Sequence, residues 1–251
     1  MRAPVITLLT DFGTADGYVG EIKGTLLSRV PNVRIVDITH EIPPQDVEAG
    51  RLALARVWRR FPPGTVHLVV VDPGVGSERR ALAVASDERW LVGPDNGVLS
   101  PALLVGAARA VTLAVPSSAS ATFHGRDVFA PAAVALASGT RLEELGEPTS
   151  DPIIRRTPEP RRLSDGALQG EVISIDRFGN AITNLLGLRE GAVEIDGVSL
   201  PLRRTYADAA RGDALAVVGS SGLIEIAVRE GSAATKLGLA RGTRVAFRGS
   251  T

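Results

Sequence analysis

The sequence contains no cysteine. That absence removes disulfides, thiolate nucleophiles and cysteine metal sites. Lysine is nearly missing too: Lys23 and Lys236 are the only two, so arginine carries the positive charge. Formal net charge is zero, with 28 basic against 28 acidic side chains, which excludes a global field that would gather nucleic acid or anionic membrane. No uninterrupted apolar stretch approaches the roughly 18 residues of a spanning helix. The opening MRAPVITLLTDFG has one arginine and a short apolar run that Asp11 ends. A secretory leader is not expected from it, and a cytoplasmic location is.

What is present is a chain of 251 residues, 44% hydrophobic and 22% charged, the composition of a globular protein with a sizeable core. The first part alternates short apolar runs with helical patterns. VITLLT (5–10) reads as a buried strand, RIVDIT (34–39) as the next strand and HLVVV (67–71) as a third. Tyr18 to Val30 reads as an amphipathic helix with Val19, Ile22, Leu26, Leu27 and Val30 at helical spacing, and Asp46 to Arg60 as a second. ALAVAS (81–86) and RWLVG (89–93) predict a hairpin around Asp87-Glu88, AVTLA (110–114) a further strand, and Val128 to Gly139 a buried helix. This alternation predicts an α/β domain over 1–150, a mainly parallel sheet with helices on both faces. Residues 147 to 166, with four prolines and clustered arginines, break the pattern, and 151–166 is expected to be a linker. From 167 to 251 only short strand-like runs follow, which predicts a smaller all-β, barrel-like domain.

Residues 69 to 80, VVVDPGVGSERR, invite a phosphate-loop reading. No loop lysine is present, and another strand rather than a helix N-terminus follows, so that reading fails. The glycines more simply shape a turn behind Asp72. Asp11 and Asp72 both end apolar strands and precede glycine-containing turns. Either alone reads as a turn or cap residue. Together they point to a shared cleft at the carboxyl ends of the strands, where open α/β sheets bind ligands.

Of the three histidines, His40, His67 and His124, no two have helical metal-ligand spacing, so no zinc site is expected. His67 opens a strand and reads as structural, and His40 reads as a hydrogen-bonding residue in a turn. His124, in TFHGRDVFAP, is open between packing and chemistry. Asp16 reads first as a helix N-cap, and Asp95-Asn96-Gly97 as a tight turn. In the second part IDRFGNAITN (175–184) crowds Asp176, Phe178 and Asn180 around a glycine turn. It is either a decorated hairpin or a site that stacks and hydrogen-bonds a base. Gly219-Ser220-Ser221-Gly222 is a turn able to receive a small anion.

TDFG, DITHEIPP, VVDPGVG, GPDNG, TFHGRD and IDRFGNAITN occur here in one order over most of the chain. Together they resemble the S-adenosylmethionine (SAM) hydroxide adenosyltransferases, adenosine-forming SAM hydrolases related to the adenosyl fluorinase and chlorinase. The resemblance implies an α/β N-terminal domain, a β-barrel C-terminal domain and a homotrimer with sites between subunits. It implies SAM as substrate, adenosine and L-methionine as products, and neither metal nor cofactor. Residue by residue, it implies that Asp72, Arg79 and His124 form a triad at the reacting water, and that Asp11 takes the ribose hydroxyls. It places Asp16 and Asp176 near the methionine ammonium, and Phe178 and Asn180 at the adenine. Ser221, Glu225 and Val228 are implied as nucleoside or methionine contacts. Where the halogenases carry serine-arginine this chain has Ser221-Gly222. The halogenating relatives place tyrosines where Asp72 and His124 stand, and a carboxylate repels a halide at close range. Chloride-dependent adenosyl transfer and noncatalytic adenosine or SAM binding are the alternatives to hydrolysis.

Overall fold

The computed structural model describes residues 3–187 and 190–249. VITLLT forms strand β1 (Val5–Thr10), followed by α1 (Tyr18–Arg29), β2 (Arg34–Thr39) and α2 (Val47–Val57). Then come β3 (Val66–Val70), β4 (Ala81–Ser86), β5 (Arg89–Pro94), α3 (Ser100–Leu103), β6 (Arg109–Leu113), α4 (Ala130–Ala137) and β7 (Gly146–Thr149). These strands make one sheet in the order β2-β1-β3-β5-β4-β6-β7. The pairings of β1 with β2 and β3, and of β3 with β5, are parallel. Those of β4 with β5 and β6, and of β6 with β7, are antiparallel. The sheet is therefore mixed rather than mainly parallel. The cause is local: Asp87 and Glu88 both take positive φ, 50° and 58°, and such a two-residue turn closes a tight hairpin. With β5 seated beside β3, β4 is carried outboard and the strands beyond it follow antiparallel.

Side chains alternate along each strand, and the core sorts accordingly. Ile6, Leu8, Val66, Leu68 and Val70 pack with Ile22 and Leu26 of α1 and with α4 residues such as Ala133 and Leu136. Leu9, Val69 and Val71 pack instead with Val47, Leu54 and Trp58, and with Leu99 and Ala102. Full burial of each such leucine contributes about 2 kcal/mol. Leu27, expected on the buried stripe of α1, is exposed, because the stripe follows Val19, Ile22 and Leu26. Asp46 caps α2 by accepting from the Ala49 amide at 2.9 Å. Gly17, not Asp16, holds the N-cap position of α1, which has no side-chain cap.

The chain divides into two units, Met1–Arg156 and Thr157–Thr251. Residues 151–155 are held on the first unit: Arg80 Nη1 donates to Asp151 Oδ1 at 2.6 Å, the Ile153 amide to Asp95 Oδ1 at 2.7 Å, and the Arg155 amide to Ser100 Oγ at 2.8 Å.

The second unit contains β8 (Arg161–Arg162), β9 (Leu168–Ile175), β10 (Ala181–Leu186), β11 (Gly191–Ile195), β12 (Val198–Arg203), β13 (Ala214–Val218), β14 (Leu223–Val228), a short helix α5 (Ala233–Leu237) and β15 (Arg244–Gly249). Pairing runs β10-β14-β13-β12-β11-β15-β9, and β9 pairs back onto β10. Seven strands thus close on themselves, with β8 appended to β9, and closure removes the unpaired edges of an open sheet. Val172, Ile224, Ile226, Val245 and Phe247 fill the interior. Among the described residues no helix is long and apolar enough to cross a membrane.

Candidate active site

β1 and β3 are parallel neighbours with Thr10 opposite Val70. The residues that follow them therefore leave one sheet edge side by side: Asp11 directly after β1, and Asp72 two positions past the end of β3. This is the carboxyl edge, where open sheets present ligand-binding groups.

The segment after Asp72 folds back through two tight turns, with Val75 N–H donating to the Asp72 carbonyl at 3.2 Å and Ser77 N–H to the Gly74 carbonyl at 3.1 Å. Gly76 takes φ +76°, and a Cβ there would stand 2.3 Å from the Ala121 carbonyl oxygen, so only glycine lets this loop lie against 119–123. The fold-back returns Arg79 to Asp72: Arg79 Nε donates to Asp72 Oδ1 at 2.8 Å, and its Nη2 donates to Asp72 Oδ2. That Nη2 also lies 3.0 Å from His124 Nδ1, and the guanidinium carbon sits 5.2 Å from the centre of the buried Phe129 ring. Arg80 makes neither contact and turns instead to Asp95 and Asp151.

His124 stands at the entrance of a π-helical turn, Gly125–Phe129, that runs into α4. Such turns recur at functional sites. Asp127 steadies the approach by accepting from the Ser120 amide at 2.9 Å. Burial, then the Arg79 charge, holds the His124 pKa below its ordinary 6.5, while the Asp72 and Asp127 carboxylates pull the other way. A guanidinium has no lone pair to offer, so the partner of Arg79 is the neutral ring accepting at Nδ1, which puts the ring proton on Nε2.

Asp11, Asp72 and His124 line one cleft of about 620 Å³ with Phe12, Tyr18, Glu21, Gln45, Phe123 and Arg126. Phe12, Tyr18 and Phe123 form an aromatic trio with centroids 5.4 to 5.9 Å apart. Arg126 lies over Phe123 at 5.1 Å and donates to Glu21 at 2.7 Å. Gln45 N–H donates to Asp11 Oδ2 at 2.8 Å from a left-handed conformation, φ 67°. Sequence reasoning had no signal for Phe12, Tyr18, Glu21 or Gln45 as cleft residues. Asp16 is exposed just before α1 and is not part of this lining. The other two histidines are buried hydrogen-bond partners: His67 Nδ1 meets Thr7 Oγ1 at 2.7 Å, and His40 Nδ1 meets Thr10 Oγ1 at 2.8 Å.

In the second unit the β9–β10 turn is organised by Asp176. Its Oδ1 accepts from the Phe178 and Asn180 amides at 2.9 and 2.8 Å, and its Oδ2 from Asn180 Nδ2 at 3.0 Å. Gly179, φ +81°, lets the turn press against Ser232, whose Oγ would be 2.1 Å from a Cβ. Asn180 is thereby buried while Phe178 is left 77% exposed. Glu225, buried on β14, accepts from Tyr206 Oη at 3.1 Å. Burial first, then the Glu225 and Asp176 carboxylates, raises the Tyr206 pKa. Tyr206 had no signal in the sequence. Val228 ends β14 and Ser221 sits in the turn before it, so one strand separates them and only Val228 lies at the Asn180 end, Ala181 being opposite Ile226. Among the described residues no group of three or more histidine or acidic side chains is arranged to hold a metal ion.

Residues 6–146 match the family model of the SAM hydroxide adenosyltransferase N-terminal domain, and residues 170–246 that of the C-terminal domain. A protein of Thermus thermophilus named (R)-S-adenosyl-L-methionine hydrolase is 43% identical over 96% of this chain and 98% of its own length. One of the same name from Salinispora tropica is 40% identical over 96% of this chain and 97% of its own. A fluorinase of an Actinoplanes species is 30% identical over 89% of this chain and 90% of its own. The crystal structure of an uncharacterized conserved protein from Thermotoga maritima superposes with a TM-score of 0.88 at 32% identity, covering 96% of this chain and 99% of that one.

Proposed function

The chain belongs to the SAM hydroxide adenosyltransferase family, and on that premise we propose that it is an enzyme that hydrolyses S-adenosyl-L-methionine to adenosine and L-methionine. The observation that carries this reading to the residues is that Asp72 and His124 line one cleft while Arg79, outside that lining, contacts both. Water attacks C5′ of the ribose, the C5′–S bond breaks, and sulfur keeps the electron pair as methionine leaves as a neutral thioether. The sulfonium loses its charge in that step, so a cleft that orients the nucleophile and strips water from both reacting charges accelerates it.

The three side chains divide the work. Arg79 favours hydroxide character on the attacking oxygen. His124, with Nδ1 turned to Arg79, presents Nε2–H as a donor that aims the water. Asp72 keeps a second lone pair on each oxygen and takes the proton. Asp11 binds the ribose hydroxyls, Asp16 and Asp176 the methionine ammonium, Phe178 and Asn180 the adenine, and Ser221, Glu225 and Val228 complete the substrate contacts.

The same reading assigns 1–150 as the catalytic domain with helices on both sheet faces, which the two alternating core clusters support. It assigns 151–166 as the linker and 167–251 as the barrel domain. It takes the assembly to be a homotrimer in the cytoplasm, with sites shared between copies and no metal or cofactor. The names of the hydrolase relatives point to the R form, and since L fixes the α-carbon, the centre meant is the sulfonium. The R-sulfonium epimer is therefore the expected substrate. Fluorinase relatives make halide transfer the second reading. Incubating purified protein with each epimer, with and without chloride, separates the two. Loss of the R epimer to adenosine in both media supports hydrolysis, and 5′-chloroadenosine as the main product overturns it.

A further inference from the structure

Asp95-Asn96-Gly97 read in the sequence as a turn, and the catalytic assignment leaves it unused. In the fold it grips both ends of the loop that bears Asp72 and Arg79. At the near end Asn96 Nδ2 donates to the carbonyl of Val71, the residue before Asp72, at 2.8 Å, while Asn96 Oδ1 accepts from the Val98 amide at 3.1 Å. At the far end Asp95, buried, receives Arg80 Nε on Oδ2 at 2.8 Å, and the Asp95 amide donates to the Arg80 carbonyl at 2.9 Å. That carbonyl also accepts from Arg79 Nη1 at 3.3 Å. The remaining Asp95 oxygen is taken by the Ile153 amide at 2.7 Å, and Arg80 is completed by Thr149 and Asp151.

We infer that Asp95 and Asn96 are positioning residues that fix the separation of the two ends of the Asp72–Arg79 loop, and so hold Arg79 against His124. The inference rests on the catalytic reading of Asp72, Arg79 and His124. The loop between its ends is bound by turns with exposed positions and contains Gly74 and Gly76, so its own sequence does not set that separation. A side chain on β5's extension does so, because β5 is already locked between β3 and β4. Neither Asp95 nor Asn96 is among the residues lining the cleft, so their effect runs through the loop.

The test uses full-length Asn96→Ala and Asp95→Asn, so that one folding failure leaves the other informative. Two quantities are read: kcat and KM for SAM hydrolysis, and the titration of the His124 ring by NMR, tractable because the chain has three histidines. If the loop slackens, Arg79 and burial act less on His124, the two causes that hold its pKa down against Asp72 and Asp127. The expected result is a kcat reduced about a hundredfold with KM little changed, together with a His124 midpoint raised toward 6.5. Asp95→Asn removes a negative charge, which by itself would lower that midpoint, so a rise there reports position rather than charge. An unmoved or lowered His124 midpoint in folded variants, or unchanged kcat per folded molecule beside a lowered melting temperature, overturns the inference. If the wild type hydrolyses no SAM, the functional reading fails while the NMR comparison still decides this one.

Discussion

Replacing Asp72 with asparagine removes one charge and almost no volume from the centre of the proposed mechanism. The Asp72 and Arg79 side chains are 5% and 10% exposed, and two guanidinium N–H groups end on the carboxylate. Breaking such a buried pair costs about 3–5 kcal/mol of stability. The lower end applies here, because Arg79 keeps His124 Nδ1 and the Arg80 carbonyl as acceptors. Catalysis loses the proton acceptor and the alignment of Arg79 together, so kcat should fall by about 10²–10³. The change also has a signed effect on pH. Asp72 raises the His124 pKa against burial and Arg79, so its loss lowers that pKa further. Turnover requires neutral His124, and the acid limb of the kcat profile therefore moves to lower pH in Asp72→Asn. Discontinuous assays of adenosine release between pH 4.5 and 8.5 read both quantities. Near wild-type kcat, or an acid limb displaced upward, would refute the arrangement.

Three further outcomes follow from particular contacts. His67 is held at a pKa of about 4 by burial and by Arg89, so the unfolded chain takes up a proton that the folded chain refuses. Stability should fall by about 3 kcal/mol as pH drops from 6.5 to 4; urea unfolding at both values checks this, and His67→Gln should flatten that part of the curve. Gly76→Ala drives a Cβ toward the Ala121 carbonyl at a positive φ; it should cost at least about 1 kcal/mol in urea midpoint and lower kcat with it. Phe178→Ala removes an exposed ring, so the melting temperature should hold while adenosine binding, read by calorimetry, weakens by about 1–3 kcal/mol.

Much of this molecule was legible from apolar runs alone. VITLLT and HLVVV are apolar almost throughout and form buried strands, and the aspartates that follow them mark one sheet edge, whereas RIVDIT, with Arg34 and Asp37 exposed, is the outermost strand. Edge strand β7 was hidden, because Pro148 lies within it and proline demotes a strand reading everywhere except at an edge. Helix α5, at five residues, is too short for a helical period to register. The cleft was legible only in part, since Tyr18 and Glu21 lie on a helix whose apolar stripe faces elsewhere, and Gln45 acts through a backbone N–H. The Asp95-Asn96 turn showed its turn chemistry and concealed its partners, because Val71 follows β3 and Arg80 precedes β4, both distant in sequence from the turn. Long-range hydrogen bonds of that kind leave no local pattern.

The most direct measurement is turnover of the R-sulfonium epimer of SAM in oxygen-18 water, with mass spectrometry of both products. Attack of water at C5′ predicts adenosine carrying one oxygen-18 and methionine carrying none. Unlabelled adenosine, or no adenosine at all from folded protein, would contradict the account.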